Sequence, residues 1–268
     1  MKLRLPSLIT IDAYNTLYTP HASIPIQYNE ITSKFGVSLP INQLKLKYGQ
    51  AYKQINSQFS NYGKAAGLSV DQFWYKVLSS LYSDFHNRLD SMQFDAMVNN
   101  IITAFKKKEA YKVFDDFVDV AHWAVKEKQI PFCLASNADA GVTHLVIDEF
   151  GMRPFLSKND VYLSYDVEYC KPDPRFFEYI IEDRLKLQGM TKDSASYAQK
   201  RAELIQFSWH LGDEYDKDVE TTLKMGMGAI LVDRDYSSGF LKANETVKQL
   251  GEKCYVVNSL TEVRDLFK

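Results

Sequence analysis

Leu8-Ile9-Thr10-Ile11-Asp12-Ala13-Tyr14-Asn15-Thr16-Leu17 is the stretch that decides the fold. Four β-favouring residues run straight into a carboxylate, and the next apolar run of that kind, Ile130 to Ala135, lies far downstream. Between them, Tyr28, Ile31 and Phe35, then Leu44 to Phe59, Val70 to Leu81 and Met92 to Phe105 carry helical periodicity. This segment is rich in Tyr, Phe, Gln, Asn and Ser and has no arginine between Arg4 and Arg88. The shift in composition predicts a smaller helical domain at 19–113, inserted into a core formed by 1–18 and 114–268.

Downstream the order alternates. A helix over Asp116 to Lys128 precedes the strand ending at Ala135, and a helix over Ala138 to Phe150 precedes a strand over Val161 to Ser164. A helix from Pro174, a strand over Phe207 to Leu211, a helix over Asp218 to Met225, and strands at Ala229 to Val232 and Tyr255 to Val257 follow, with a last helix after them. Such alternation implies right-handed crossovers and a parallel, Rossmann-like α/β sheet. Leu185 to Leu204 reads as a lengthened helix and loop.

Composition narrows the function classes. The 268 residues, 46% hydrophobic, carry 32 Lys and Arg against 34 Asp and Glu, a formal net charge of −2. No global basic field exists to hold a polyanion, which argues against a nucleic-acid binder. The three cysteines are too few and too far apart for a disulfide framework and suggest a reducing compartment. No apolar run approaches the roughly 18 to 20 residues that span a bilayer. A cytoplasmic protein is expected, or a mitochondrial one if a targeting segment is missing.

In an open parallel sheet, ligands gather outside the carboxyl ends of the strands. Here those ends carry Asp12 to Leu17, Ser136-Asn137, Cys170-Lys171-Pro172-Asp173-Pro174, and Gly212-Asp213 through Asp218. One such Asp is commonly a helix cap, but four polar strand ends together suggest a site. Lys171 and the Ser136 hydroxyl can bind oxyanion oxygens, while Asp12, Asp213 and Asp218 can hold a hard cation such as Mg²⁺. Asp12 facing a metal-neutralised phosphoryl group is the best nucleophile candidate.

These four motifs, Ile9 to Leu17, Leu134 to Asn137, Lys171 to Phe177 and His210 to Asp218, resemble those of the haloacid dehalogenase-like hydrolase superfamily in order and spread. The resemblance implies a Rossmann-like core with a helical cap domain between the first and second motifs, enclosing a small phosphorylated or acidic substrate. It implies Asp12 as nucleophile and Mg²⁺ ligand, with the Tyr14 carbonyl, Asp213 and Asp218 completing the metal site. Thr16, Ser136 and Asn137 would bind phosphate or substrate, and Lys171 would pair Asp12 with the phosphoryl oxygens.

One position departs from the pattern. Phosphatases of this superfamily carry a second Asp two residues after the nucleophile as general acid and base, where this chain has Tyr14. A phenol near pKa 10 is a poor base at neutral pH, and losing such a group costs roughly 10²- to 10⁴-fold. A leaving group that needs no proton, such as an aryl or acyl phosphate, relaxes the requirement. An aromatic residue there resembles the metal-free 2-haloacid dehalogenase branch, which looks for an early cap arginine; only Lys45, Lys47, Lys53 and Lys64 stand in that region. A fold that has become a binding or regulatory module is the third alternative. His210 is expected to point into the sheet packing, and Cys170 is a candidate for oxidation should its pKa be lowered.

Overall fold

The computed structural model describes residues 3–267. The termini of the expected core segments, residues 1, 2 and 268, lie outside them. Among the described residues, nine strands form two sheets. β1 (Leu8–Ile11), β4 (Phe132–Ser136), β5 (Val161–Leu163), β6 (Ser208–Gly212), β7 (Gly228–Val232), β8 (Val247–Gly251) and β9 (Cys254–Val257) make one sheet in the order β5-β4-β1-β6-β7-β9-β8. β2 (Tyr18–Pro20) and β3 (Tyr111–Val113) pair separately.

β1 is buried at all four positions because it lies at the centre, parallel to β4 on one side and β6 on the other. An apolar run without alternation is what such a doubly covered strand requires. Ile11 is in register with Leu134 and Leu211, so the residues following all three emerge at the same edge. Six of the seven strands are parallel, giving the α/β class expected from the alternation. The antiparallel β8 was not anticipated: Val247 to Gly251 is mostly exposed and its polar Lys248 and Gln249 lack a strand-like apolar face.

The chain divides into two compact units, Met1–Thr19 with Val113–Lys268, and Pro20–Lys112. The first is the sheet with its helices. Phe176, Phe177, Ile180, Ile181 and Leu185 of the helix Arg175–Leu187 pack with Leu8, Cys133 and Ala135 from the strands. Each fully buried phenylalanine contributes roughly 1.5–3 kcal/mol relative to exposure. Leu185 to Leu204, expected as a lengthened helix and loop, holds the end of the helix Arg175–Leu187, a turn, and the start of a second helix, Tyr197–Phe207, which leads into β6. Gly189, at a φ of 75°, and the turn-forming Thr191 and Ser194 supply the break.

The second unit is helical, with Ile24–Thr32, Ile41–Gln58, Val70–Leu81 and Ser91–Ala104. Two of these start in capping boxes, Ser69 with Gln72 and Asp90 with Gln93, each satisfying otherwise orphaned N–H groups. Their apolar stripes meet over Leu44, Phe73, Val77, Leu78, Tyr82, Met97 and Val98. Tyr52, Tyr62 and Trp74 surround Phe73 with ring centres 5.5 to 6.2 Å away. The aromatic richness of this segment is thus the composition of a core.

Candidate active site

The chain turns sharply after β1. Asp12 donates its N–H to Leu211, and Ala13 O accepts from Leu17 N at 2.8 Å, closing a single turn. Asn15 takes the left-handed conformation that turn demands, with φ at 55°; its N–H bonds Tyr18 O and its Oδ1 accepts from the Thr19 hydroxyl. Asn tolerates this geometry better than most residues, which explains its presence there.

Lys171 is brought to Asp12 from far along the chain. Its ammonium donates to Asp12 Oδ1 at 2.7 Å, to Asp218 Oδ1 at 2.5 Å and to the Ala135 carbonyl at the end of β4 at 3.0 Å. All three donors of Nζ therefore have an acceptor. Only 3% of Lys171 is exposed, and its neighbours hold it firmly protonated. Removing one member of a buried ion network leaves uncompensated charge, at a cost of about 3–5 kcal/mol. Lys171→Met is expected to lose stability on that scale; urea unfolding at neutral pH checks this, and a loss below about 1 kcal/mol would contradict the buried pairing.

Asp218 reaches this point because Gly212 has no side chain: a Cβ there would stand 2.2 Å from the Asp218 carboxyl carbon. Asp218 Oδ2 accepts the Glu214 N–H, and Oδ1 accepts from both Lys171 and His210. Asp218, expected to support the metal directly or through water, thus has hydrogen bonds on both oxygens. Burial works against its charge, but Lys171 and His210 together hold its carboxyl below the ordinary value.

His210 was expected in the sheet packing and is instead part of this network. Its Nε2 is 2.9 Å from Asp218 and its Nδ1 2.9 Å from the Thr10 hydroxyl, across the β1–β6 pairing that sets Thr10 beside His210. Burial pushes the imidazole below its usual pKa, and because a carboxylate only accepts, Nε2 donates to Asp218. The edge of Phe177 packs against it at 4.8 Å. A fully buried strand histidine facing a threonine was the sequence signal; buried polar rings need partners.

Asp213 carries the remaining charge. Burial, then the charges of Asp12, Asp218 and Glu214, raise its pKa to about 7. Burial also raises Asp12, against the opposing pull of Lys171. Three carboxylates face one ammonium, a surplus of negative charge that a hard cation offsets. Among the described residues no three His, Cys, Asp or Glu side chains are grouped to hold a metal by themselves. Asp12 and Asp213 are nonetheless hard oxygen donors of the kind Mg²⁺ takes, so the side chains present fit such a cation.

The other residues expected at the site are placed as follows. Asn137, expected as a phosphate binder, holds the Lys171 loop: its Oδ1 accepts the Lys171 N–H and its Nδ2 donates to Lys171 O, both at 2.7 Å. Thr16 is completely buried in the turn after β1, and its hydroxyl has no partner among the described residues. Ser136 closes β4 and is buried there, at the strand end where it was expected. Tyr14 stands 40% exposed, edge-on to Tyr18 at 6.2 Å, and burial plus the Asp213 charge raise its pKa further. Burial likewise raises the Cys170 thiol rather than activating it. Alkylation by iodoacetamide at pH 7 is expected to leave Cys170 largely unmodified after times that label a free thiol fully; rapid labelling, followed by peptide mass, would contradict this.

Residues 6–188 match the family of haloacid dehalogenase-like hydrolases, and the chain belongs to that family. It is 26% identical to the uncharacterized protein YMR130W of Saccharomyces cerevisiae, over 98% of this chain and 93% of that one. Among solved structures, the HAD-hydrolase YfnB from Bacillus subtilis bound to magnesium superimposes with a TM-score of 0.60 at 13% identity, covering 98% of this chain and 99% of that one. A 2-haloacid dehalogenase from Pseudomonas syringae pv. Tomato DC3000 gives 0.59 at 14%, with 98% of each chain covered. At these identities the structural likeness is one of fold. Among the described residues no helix is long and apolar enough to cross a membrane.

Proposed function

We propose that the chain is a Mg²⁺-dependent phosphatase of small phosphorylated metabolites whose leaving groups need little protonation, such as aryl or acyl phosphates. The observation that carries this reading is the Lys171 ammonium held between Asp12 and Asp218, with Asp213 close enough for the charges of Asp12 and Asp218 to raise its pKa. A carboxylate pinned by one oxygen to a buried lysine keeps its second oxygen for attack.

The residues would act as follows. Asp12 attacks phosphorus, its O–P bond forming as the bond to the leaving oxygen breaks and the phenolate or carboxylate departs. Lys171 neutralises the phosphoryl oxygens during that transfer, and Asp218, fixed by His210 and Glu214 N–H, holds Lys171 in line. Water then displaces Asp12 from phosphorus, releasing phosphate and restoring the carboxylate. When bound, Mg²⁺ would supply charge neutralisation of the anionic substrate beside Asp12 and Asp213. The magnesium of YfnB, in the same fold, supports this assignment. The net charge of −2 favours a small substrate over nucleic acid, and the three free cysteines suit a reducing, cytoplasmic setting.

The half-exposed aromatic Tyr14 favours a second reading, metal-free attack by Asp12 on the carbon of a 2-haloacid. One experiment separates the two: p-nitrophenyl phosphate and 2-chloropropionate are assayed with Mg²⁺ and with EDTA, beside Asp12→Asn. Phosphate release that needs both Mg²⁺ and Asp12 supports the phosphatase. Chloride release in EDTA supports the dehalogenase, and neither product, with the protein folded, supports a non-catalytic role.

A further inference from the structure

Arg234 follows β7 and takes no part in the chemistry above, yet it binds the active-site turn. Its Nη2 donates to the Thr16 carbonyl at 2.7 Å. Nη1 and Nη2 also grip Asp116 Oδ2 and Oδ1 at 2.8 and 2.9 Å, and the guanidinium lies 3.8 Å over the Phe114 ring. Asp116 is itself immobilised, accepting from the Ser259 hydroxyl at 2.6 Å and the Leu260 N–H at 2.8 Å. These bonds and Arg234 hold the Asp116 carboxyl below its ordinary value although burial opposes them.

The adjoining carbonyl, Leu17 O, accepts from Phe114 N at 2.9 Å. Two successive carbonyls at the end of the Asp12 turn are thereby held by one assembly, made of Arg234, Phe114 and Asp116. Thr16 offers no second hold, since its hydroxyl has no partner among the described residues. The turn is short and closed, with Leu17 and Tyr18 N–H both on Ala13 O, so a shift at Thr16 is passed to Ala13 and the adjacent Asp12.

We propose that Arg234 is a positioning residue for Asp12, acting through the Thr16 carbonyl, with Asp116 as its fixed anchor. A guanidinium suits this task because its planar fork reaches the carboxylate and the carbonyl together, which an ammonium on a flexible stem does not. The consequence for rate rests on the phosphatase reading; the consequence for the turn does not. Displacing a nucleophile by about 1 Å costs up to about 100-fold in turnover.

The test uses Arg234→Met, which keeps an apolar stem over Phe114, and Arg234→Lys, which keeps the charge. Arg153→Met, breaking an exposed pair with Asp148, is the control. For p-nitrophenyl phosphate with Mg²⁺, kcat is expected to fall roughly 10- to 100-fold in Arg234→Met, less in Arg234→Lys, with KM within about twofold and the control unchanged. Hydrogen exchange at the Leu17 and Tyr18 amides is expected to quicken at least about tenfold while Thr10 and Ile11 in β1 keep their protection. Should Arg234→Met not fold, Asp116→Asn is measured in the same way. Unchanged exchange at Leu17 and Tyr18, or a lower melting temperature with kcat intact, overturns the proposal. If the wild type hydrolyses no phosphate ester, the phosphatase reading falls and the exchange data alone decide the role of Arg234.

Discussion

Asp12→Asn is expected to abolish Mg²⁺-dependent hydrolysis of p-nitrophenyl phosphate, a loss of at least about 10³-fold, while leaving the protein folded. The amide is nearly isosteric, and its oxygen still accepts from the Lys171 ammonium 2.7 Å away in the wild type. What disappears is the anionic oxygen that must bond to phosphorus under the proposed mechanism, and Asp218, with both oxygens engaged, is not free to take its place. Rates are compared with background at several Mg²⁺ concentrations, alongside circular dichroism. A folded Asp12→Asn protein that retains a tenth of the wild-type rate would remove Asp12 as nucleophile.

Tyr14→Asp is expected to raise phosphatase activity. A general acid and base at this position supplies roughly 10²- to 10⁴-fold in proton transfer. The phenol cannot substitute, because burial and the Asp213 charge raise its pKa above its already high ordinary value. Since the side chain is 40% exposed, the exchange leaves no large cavity. The gain is expected to be about 10²-fold for an alkyl phosphate, whose leaving alkoxide must be protonated, and much smaller for p-nitrophenyl phosphate, whose phenolate departs unaided. That difference between substrates is the diagnostic quantity. A folded variant showing no gain with the alkyl ester would mean that the remaining groups are not arranged for phosphoryl transfer.

Much of the fold was legible in short windows. The apolar run of β1 is distinctive because a central parallel strand must be buried on both faces, and the capping boxes at Ser69 and Asp90 mark their helix starts locally. β8 escaped notice because an exposed edge strand carries no apolar pattern, its hydrogen bonds coming from β9. In the site, Asp12, Lys171 and Asp213 were recognisable by residue type at strand ends. Asn137 and Thr16 were expected at the substrate by the same logic, but residue type does not say which way a polar group turns. Asn137 turns to the Lys171 backbone, and Thr16 is sealed within the turn.

By itself, then, the sequence determined the strand-to-turn punctuation, the inserted helical segment and the chemical inventory at the sheet's carboxyl edge. These are local properties, set by periodicity, turn preference and the chemistry of single side chains. Tertiary structure alone decided the pairings: Lys171 with Asp12 across 159 residues, His210 with Thr10 across 200, and Arg234 with Asp116 across 118. Such contacts depend on strand register and on which backbone atoms are left unpaired at each strand end. Neither is encoded in any one window, because both arise only when the sheet brings distant segments to a common edge.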